Sequence, residues 1–339
     1  MTKVSIKQIA ELSGVSVATV SRVINNNGRF SEATRKKVLQ AIEETGYQTN
    51  YVAKSLRMQK SNTIGILVPD ITNYFFARTV QHIEETLFKN GYSTIICNTD
   101  RSLEKEKAYL EMLKAKMIDG LIVISGIKEF DLVDYSSMNI PVVCIDRKPT
   151  GKASSVFIAS NHYDGAYMAT KHLLEKGVKA PVILMQNRES SSSSERLKGF
   201  KAGLKEAGIP FHADTNLLVV DSKRNVLRVE DKMRQLFLKA FSKLETCDGI
   251  FSINDDLAIL ALDCLKELGI AVPDQVKLIG FDDTLLSRHT SPKLSSVAQD
   301  TLKLAETTCE NLLALIQNPN LAVPKQQLVP VHLIERETT

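Results

Sequence analysis

Polar side chains that directly follow short apolar segments are the clearest candidates for chemistry in this 339-residue sequence. Each apolar segment predicts a buried strand, and the polar residues after it are Asp70, Asn73, Asn98, Ser125, Asp146, Arg147, the run 187–196, Asp221, Asn254, Asp255, Asp282 and Asp283, with Phe75 and Phe76 nearby. Ligands of open parallel sheets bind beyond the carboxyl ends of the strands, so we expect these side chains to converge. Carboxylates accept hydrogen bonds from hydroxyl groups, arginine donates them, and an aromatic ring covers an apolar face. The set therefore favours a hydroxyl-rich ligand such as a sugar.

Several of these residues also have a purely structural interpretation. Asp255 opens a predicted helix and could serve only as its N-cap. Phe75 and Phe76 could belong to the core, and Arg196 could be a solvated arginine on a helix face. We expect the five serines 190–194 to form a flexible polar loop rather than a rim of the ligand site. The predicted site therefore depends on the convergence of the set and not on one member.

A second group of candidates lies in residues 16–25, which have the pattern of a DNA-reading helix. A glycine-containing turn at 13–16 joins two short predicted helices, which is the pattern of a helix-turn-helix. The first turn of the second helix then faces base edges in the major groove, where Arg22 could contact guanine and Val17 and Ala18 a thymine methyl. Side chains of the type that contacts phosphate are Ser16, Thr19, Ser21, Asn25 and Thr34. The alternative is a generic helix of small residues with a solvated Arg22.

Capping signals predict where three helices of this head begin and end. Ser5 and Gln8 form a capping box that starts the first helix near residue 6, and Gly14 ends it. The second helix is predicted from 17 to about 25 and the third from 32 to about 45, each preceded by a serine that can cap it. The predicted core side chains are Val20, Val23, Ile24, Val38, Leu39, Ala41 and Ile42.

Composition and charge narrow the function classes. The chain is 43% hydrophobic and 24% charged, and it has no apolar run of the ~20 residues that a membrane span needs. The N-terminus lacks the apolar region of a secretory signal, which favours a cytoplasmic protein with free thiols at its five separated cysteines. Residues 1–60 hold ten Lys or Arg and four Glu, a net charge of +6, whereas the remainder is −2. A basic head on a nearly neutral body is typical of nucleic-acid binders.

The body alternates short apolar segments with amphipathic ones, which predicts parallel sheets buried on both faces. The predicted strands are 64–68, 93–98, 120–124, 142–146, 156–160, 181–185, 217–221, 249–254 and 277–281. Nine strands are many for one core, so we predict an all-α helix-turn-helix head followed by an α/β body of two doubly wound parallel-sheet subdomains.

The sequence resembles the LacI/GalR family of bacterial repressors. The resemblance is continuous from Val4 to Asn25 and includes Gly46-Tyr47 and the segment 50–57. In the body it is carried by segments that start at Thr63, Gly91, Cys97, Asp119, Pro141, Arg196, Ile253 and Ile279, and by Gln299. The resemblance implies a body like the type I periplasmic sugar-binding proteins. It thus extends over essentially the whole chain.

The resemblance also implies roles for particular residues. Val17, Ala18 and Arg22 fall at base-reading positions, and 50–57 resembles a hinge helix whose Leu56 enters the minor groove. Eight residues are too few for a stable isolated helix, so we expect the hinge to fold when two copies pair on DNA. The predicted DNA-binding set is Ser5, Ser16, Val17, Ala18, Thr19, Ser21, Arg22, Asn25, Thr34, Tyr47, Asn50, Ala53 and Leu56. The predicted effector-binding set is Phe75, Phe76, Asp146, Arg147, Arg196, Asn254, Asp282 and Gln299.

One departure from the family pattern concerns aromatic stacking. The chain has no Trp, and Asp221-Ser222 stands where several members supply an aromatic side chain from the second half. At this position the sequence therefore offers no aromatic side chain to stack on the effector.

The predicted domains are a DNA-binding domain at 1–48, a hinge at 49–61 and an effector-binding and dimerisation domain at 62–339. Within that domain we assign 62–160 and 292–320 to the N-subdomain, and 161–291 and 321–339 to the C-subdomain.

The function implied is a repressor of a carbohydrate operon. It would bind a near-palindromic double-stranded operator as a homodimer, or as part of a tetramer, without a cofactor, a metal or a membrane. A small sugar would release it, with ribose favoured by residues 135–143 and 331–339. Sucrose, another sugar or sugar phosphate, and a corepressor that strengthens DNA binding are the alternatives.

Two other classes are less consistent with the sequence. A sugar-metabolising enzyme would need a phosphate loop or catalytic cluster, and the Walker, dinucleotide and HExxH motifs are absent. The six histidines are scattered, and we interpret His162, near a helix start, as structural. A transport-type binding protein would need a signal peptide and no DNA-binding head, which is the reverse of what the sequence has.

Overall fold

The computed structural model describes residues 4–47, 60–124, 139–146, 148, 155–187, 190–220, 230–242, 244 and 246–339. The predictions for Asn50, Ala53, Leu56 and Arg147 lie outside these residues. The chain divides into two compact units, Met1–Ser61 and Asn62–Thr339.

The first unit contains three helices: α1 (Ile6–Ser13), α2 (Val17–Ile24) and α3 (Glu32–Thr45). The predicted capping box is confirmed, because the Gln8 N–H donates to the Ser5 hydroxyl and the Ser5 N–H donates to the Gln8 side chain. Ser16 and Ser31 cap the next two helices by accepting hydrogen bonds from the Thr19 and Thr34 N–H groups. Gly14 ends α1 at a φ of +67°, a left-handed conformation that glycine adopts without a steric penalty.

A small core holds the three helices together. Its buried side chains are Ile9, Ala10, Val20, Val23, Val38 and Ala41. The prediction that Leu39 belongs to this core is wrong, since Leu39 is 46% exposed. Each helical residue is rotated about 100° from the one before it, so the neighbour of the buried Val38 lies outside the apolar stripe.

The second unit contains two six-stranded sheets that define two lobes. The first lobe is built on β1 (Thr63–Val68), β2 (Ser93–Asn98), β3 (Gly120–Ile124), β4 (Val142–Ile145), β5 (Val156–Ser160) and β11 (Gln326–Val329). The second lobe is built on β6 (Pro181–Gln186), β7 (Leu217–Val220), β8 (Gly249–Ser252), β9 (Lys277–Asp282), β10 (Ser295–Gln299) and β12 (Val331–Ile334).

The two sheets have equivalent strand orders and differ in the direction of one edge strand. Their orders are β11-β5-β4-β3-β1-β2 and β12-β10-β9-β8-β6-β7, and among the described strands β12 alone runs antiparallel to its neighbour. The predicted pair of doubly wound subdomains is confirmed. The helices around the sheets are α4 (Tyr74–Lys89), α5 (Leu103–Ala115), α6 (His162–Glu175), α7 (Ser191–Glu206), α8 (Ala213–Asn216), α9 (Glu230–Phe241), α10 (Asp255–Glu267) and α11 (Thr301–Gln317), with a 3₁₀ turn at Leu286–Arg288.

The C-terminal part of the chain interleaves the two lobes differently from the prediction. Residues 295–299 pair within the second sheet, although we assigned 292–320 to the first subdomain. Residues 326–329 pair with β5 of the first sheet, although we assigned 321–339 to the second. These strands carry mixed polar sequences that lack the apolar run of a central strand, and β11 and β12 lie at sheet edges.

The prediction of a flexible loop at the serine run is also wrong. Ser190 caps α7 by accepting a hydrogen bond from the Ser193 N–H at 3.0 Å, and 191–194 form the first turn of that helix. Serine hydroxyls satisfy the free N–H groups of a helix start, so a serine run can begin a helix. In the part of the chain described above, no helix has the length and apolarity to cross a bilayer.

Candidate DNA-binding and effector sites

Most of the predicted DNA-binding residues of the head lie on α2 or at its caps, whereas Ser5 caps α1, Thr34 lies on α3 and Tyr47 follows α3. Ser5, Ser16, Ala18, Arg22 and Asn25 are exposed, whereas the remaining described members are half-buried. Val17 and Tyr47 are among the half-buried residues, and both pack against the helical core.

Two of the exposed side chains, Asn25 and Arg22, contact neighbouring residues of the head. The Asn25 amide donates to the Ser21 carbonyl at 2.7 Å and so folds back along α2. The stem of Arg22 lies over Gly28, where an added Cβ would stand 3.4 Å from the Arg22 Cδ. Gly28 has a φ of +90°, a conformation that few other residues adopt, so another residue at this position would be strained and would contact the Arg22 stem.

In the body, four of the predicted effector-binding residues come together. Asp146 follows β4, Asp282 and Gln299 end β9 and β10, and Arg196 lies on α7. All four are largely buried, with 3% of Asp146 and 8% of Arg196 exposed. The sequence brings them together because each stands at or beyond a strand end or on the helix that follows one.

The other predicted effector residues have structural contacts. Asn254 caps α10, accepting a hydrogen bond from the Leu257 N–H at 2.8 Å. Phe75 is buried in the core of the first lobe, and its ring meets the half-buried Phe76 edge-on at 5.5 Å. Of this pair, Phe76 has the more exposed side chain, so it is the better candidate for contact with a ligand.

Arg196 is the centre of the buried polar cluster. Its guanidinium stacks on the Phe281 ring at 3.6 Å from the centroid and donates to the Ile253 carbonyl. One guanidinium nitrogen lies 3.7 Å from the Asp282 carboxylate. Gln299 donates to the same Asp282 oxygen at 2.6 Å, whereas the buried Gln299 Oε1 has no partner within the described residues. A ligand hydroxyl could donate to that oxygen.

His162 belongs to this cluster, although sequence reasoning interpreted it as structural. Its Nε2 lies 2.8 Å from Asp146 Oδ1, and its Nδ1 lies 3.2 Å from an Arg196 nitrogen. Because arginine can only donate, Nδ1 is the acceptor and the proton sits on Nε2, which donates to Asp146. The signal available in the sequence was a histidine in the first turn of a helix directly after a buried strand.

The two lobes contact one another through polar groups. The Ser191 hydroxyl of α7 donates to the Asp146 carbonyl at 2.5 Å. The Asn73 amide, at the start of α4, donates to Asp256 of α10 at 2.9 Å. Desolvation by burial raises the pKa of Asp256, although this bond to Asn73 opposes the shift. The strand ends of both sheets therefore face one cleft.

Burial shifts the ionisation of the charged groups in the second lobe. It raises the pKa of Asp282 well above the ordinary value, while the neighbouring Arg196 opposes the shift. It lowers the pKa of Arg196 and of His162, which favours the neutral imidazole. The site thus combines carboxyl and guanidinium groups, which can exchange hydrogen bonds with hydroxyls, with a neutral imidazole that bonds to both kinds of group.

Asp255 lies behind this cluster and is not the N-cap of α10, a role that Asn254 fills. Its carboxyl group is fully buried and accepts from the Ser296 hydroxyl at 2.6 Å and the Thr284 N–H at 2.7 Å. Burial raises its pKa from 3.8 to about 7, against the effect of these bonds. A Cβ at Gly280 would lie 2.2 Å from the Asp255 Oδ1, so the glycine leaves room for the carboxyl group.

Backbone strain coincides with the site. Asp146 and Asp282 have φ angles of +55° and +116°, in the left-handed region that favours glycine. Such conformations persist where surrounding contacts hold them, and they concentrate at functional sites.

Comparison with known proteins gives matches along the chain. A family model of bacterial regulatory proteins of the lacI family matches residues 5–50, and a periplasmic binding protein-like domain matches 170–339. The HTH-type transcriptional regulator RegA of Clostridium saccharobutylicum is 35% identical over 340 residues, covering 99% of both chains. The ribose operon repressor of Halalkalibacterium halodurans is 33% identical over 338 residues, covering 99% of this chain and 97% of the relative. The crystal structure of the lac repressor dimer bound to operator and the anti-inducer ONPF is 27% identical, with a TM-score of 0.83 over 99% of both chains.

A helix-turn-helix head joined to a two-lobed body of the periplasmic-binding-protein kind defines a DNA-binding transcriptional regulator. The chain belongs to the lacI family of bacterial regulatory proteins, as the sequence resemblance predicted.

Proposed function

We propose that this protein is a homodimeric repressor that releases a near-palindromic operator when a small sugar, with D-ribose favoured, enters the cleft between the lobes. The observation that carries the proposal is the convergence of Arg196, Asp282 and Gln299 with Asp146, which His162 links to Arg196. Similarity to a ribose operon repressor supports ribose, and similarity to the operator-bound lac repressor dimer supports the dimer. The proposed location is the bacterial cytoplasm, where operator DNA is found.

The proposed DNA contacts follow from the exposed face of α2. Arg22 reads a guanine, a contact worth about 1–3 kcal/mol of discrimination between bases. The hydroxyl and amide side chains around it position the helix on phosphates. Each half-site takes one head, so the operator has the two-fold symmetry of the dimer.

The effector acts by favouring one arrangement of the two lobes over another. The lobes already exchange hydrogen bonds through Asp146 and Asp256, so a ligand in the cleft changes the balance of these contacts. A ligand that binds one arrangement about 5.5 kcal/mol more tightly moves a two-state equilibrium from 1:99 to 99:1. In this proposal residues 49–61 transmit that change to the DNA-binding heads.

The proposed pocket is tested by thermal shift of the full chain with D-ribose, sucrose and ribose 5-phosphate. At 100 times its dissociation constant the true effector adds about 2.7 kcal/mol of stability. We expect Arg196→Met to abolish this shift, because Met retains the packing on Phe281 but cannot donate hydrogen bonds. Lys198→Ala, at an exposed position on the same helix, is the matched control and keeps the shift. An undiminished shift in Arg196→Met would place the effector elsewhere.

The sign of regulation is tested with operator DNA. Fluorescence anisotropy of a labelled palindromic duplex measures affinity with and without the sugar found above. The proposal expects the sugar to weaken binding. Tighter binding would make the sugar a corepressor and would contradict induction.

A further inference from the structure

His162 lies where the chain passes from the first lobe to the second. It is the first residue of α6, directly after β5 and the helix cap Asn161. Ala166 and Leu173 of the same helix are fully buried in the core of the second lobe. His162 is therefore anchored to the second lobe while its chain neighbours belong to the first.

Each ring nitrogen of His162 bonds to a different lobe. Nε2 donates to Asp146, which follows β4 of the first lobe, at 2.8 Å. Nδ1 accepts from Arg196 of the second lobe, with distances of 3.2 Å from Nη2 and 3.4 Å from Nε. The ring also packs against Phe281, with centroids 5.7 Å apart. The imidazole is 4% exposed, so water competes little for these bonds.

We infer that His162 is a positioning residue of the effector site, which aligns Asp146 with Arg196 across the cleft before the effector arrives. The inference deepens the proposed function, since it concerns the same site and a hydroxyl-bearing effector. A carboxyl group and a guanidinium that are already held in fixed orientation by His162 need less reorganisation when a ligand binds. His162 thus sets effector affinity through two other side chains.

The first test separates hydrogen bonding from packing at position 162. Gln has an acceptor and a donor about as far apart as the two imidazole nitrogens, whereas Phe keeps the ring and loses both hydrogen bonds. With D-ribose as the titrant in isothermal titration calorimetry, we expect His162→Gln to bind within about 3-fold of the unmodified protein. His162→Phe weakens binding about 10-fold or more, since it removes bonds to charged groups. Equal affinity in the Phe variant would overturn the inference and leave ribose as the effector.

The second test needs no effector. Melting temperatures are compared for His162→Phe, Asp146→Asn and the double variant. If the two side chains interact, the decreases in melting temperature of the two single variants are not additive. The double variant then melts within about 1 °C of the less stable single variant. His172→Phe, at the other end of α6, is the matched control. Its decrease in melting temperature should add fully to the decrease caused by Asp146→Asn. Additive losses for the His162 pair would overturn the inference.

The third test uses the unmodified protein, so it does not depend on a variant that folds poorly. Imidazole ¹⁵N chemical shifts report which nitrogen of His162 carries the proton, and the inference requires Nε2. A proton on Nδ1 would overturn it. If D-ribose fails to bind while Nε2 is protonated and the melting losses are not additive, the proposed effector is wrong and the positioning role stands.

Discussion

Replacing Asp255 by Asn should stabilise the body at alkaline pH. The carboxyl group is fully buried, and its pKa is raised from 3.8 to about 7. In the unfolded chain the group loses its proton near pH 3.8, whereas the folded protein keeps it to about pH 7. Between these values the unfolded state binds fewer protons, so the stability contributed by this group falls as the pH rises and is lowest above pH 7.

The size of the effect follows from the pH interval. Between pH 5.5 and pH 8 about 1.5 pH units lie below the folded-state pKa, which corresponds to about 2 kcal/mol. Asn carries no charge at any pH, and it can keep both bonds by accepting from the Thr284 N–H and donating to the Ser296 hydroxyl. The stability of Asp255→Asn relative to the unmodified protein should therefore rise by about 2 kcal/mol over this interval.

The assay is calorimetric melting of the ligand-free chain at both pH values. At about 2 °C for each kcal/mol, the difference in Tm between variant and unmodified protein should grow by about 4 °C from pH 5.5 to pH 8. Asp263→Asn, at an exposed position on the same helix, is the control and should leave the difference constant. If the difference in Tm between Asp255→Asn and the unmodified protein stays constant or shrinks from pH 5.5 to pH 8, the assignment of a buried, protonated carboxyl group is refuted.

Two further predictions concern packing. Gly280→Ala should lower the stability of the body by about 1–3 kcal/mol, because its Cβ would overlap the Asp255 carboxyl group. Urea unfolding measures this loss of stability. The loss should be smaller when Asp255 is also replaced by Ala, and an equal loss would contradict the predicted clash. In the head, Val38→Ala should cost about 2 kcal/mol and lower the temperature at which operator binding is half lost. Leu39→Ala should change this temperature little, since Leu39 is 46% exposed. A larger decrease for Leu39→Ala than for Val38→Ala would contradict the assignment of Val38 to the core.

Local signals were enough to predict the head and most of the sheet strands. Ser5, Ser16 and Ser31 cap their helices through residues three positions away, and an interaction of that range is visible in the sequence. Strands such as Gly120–Ile124 are continuous apolar runs and are buried along their whole length. Both kinds of pattern predict an element without knowledge of its distant partners.

The missed features depend on distant parts of the chain. His162 bonds to Asp146 and Arg196, 16 and 34 residues away, and nothing in its own segment distinguishes it from a structural histidine. The strand at Ser295–Gln299 is buried because β9 and β12 flank it, whereas its sequence contains two serines and a glutamine. The sequence was enough to place a polar residue at the end of a strand, but not to identify the side chains that it would contact.

The interleaved path of the chain also restricts how the lobes can move. The chain crosses between them at Asn161, Asp300 and Pro330, each a single residue between consecutive elements. The Asn161 N–H donates to the Val329 carbonyl at 2.8 Å, which ties the first crossing to the third. Each crossing is one residue long, so a change in the arrangement of the lobes must be taken up by few backbone torsions. Because the chain crosses three times, each lobe consists of two separate segments and cannot be excised as one continuous fragment. A cut at any one crossing would leave the lobes joined by the other two.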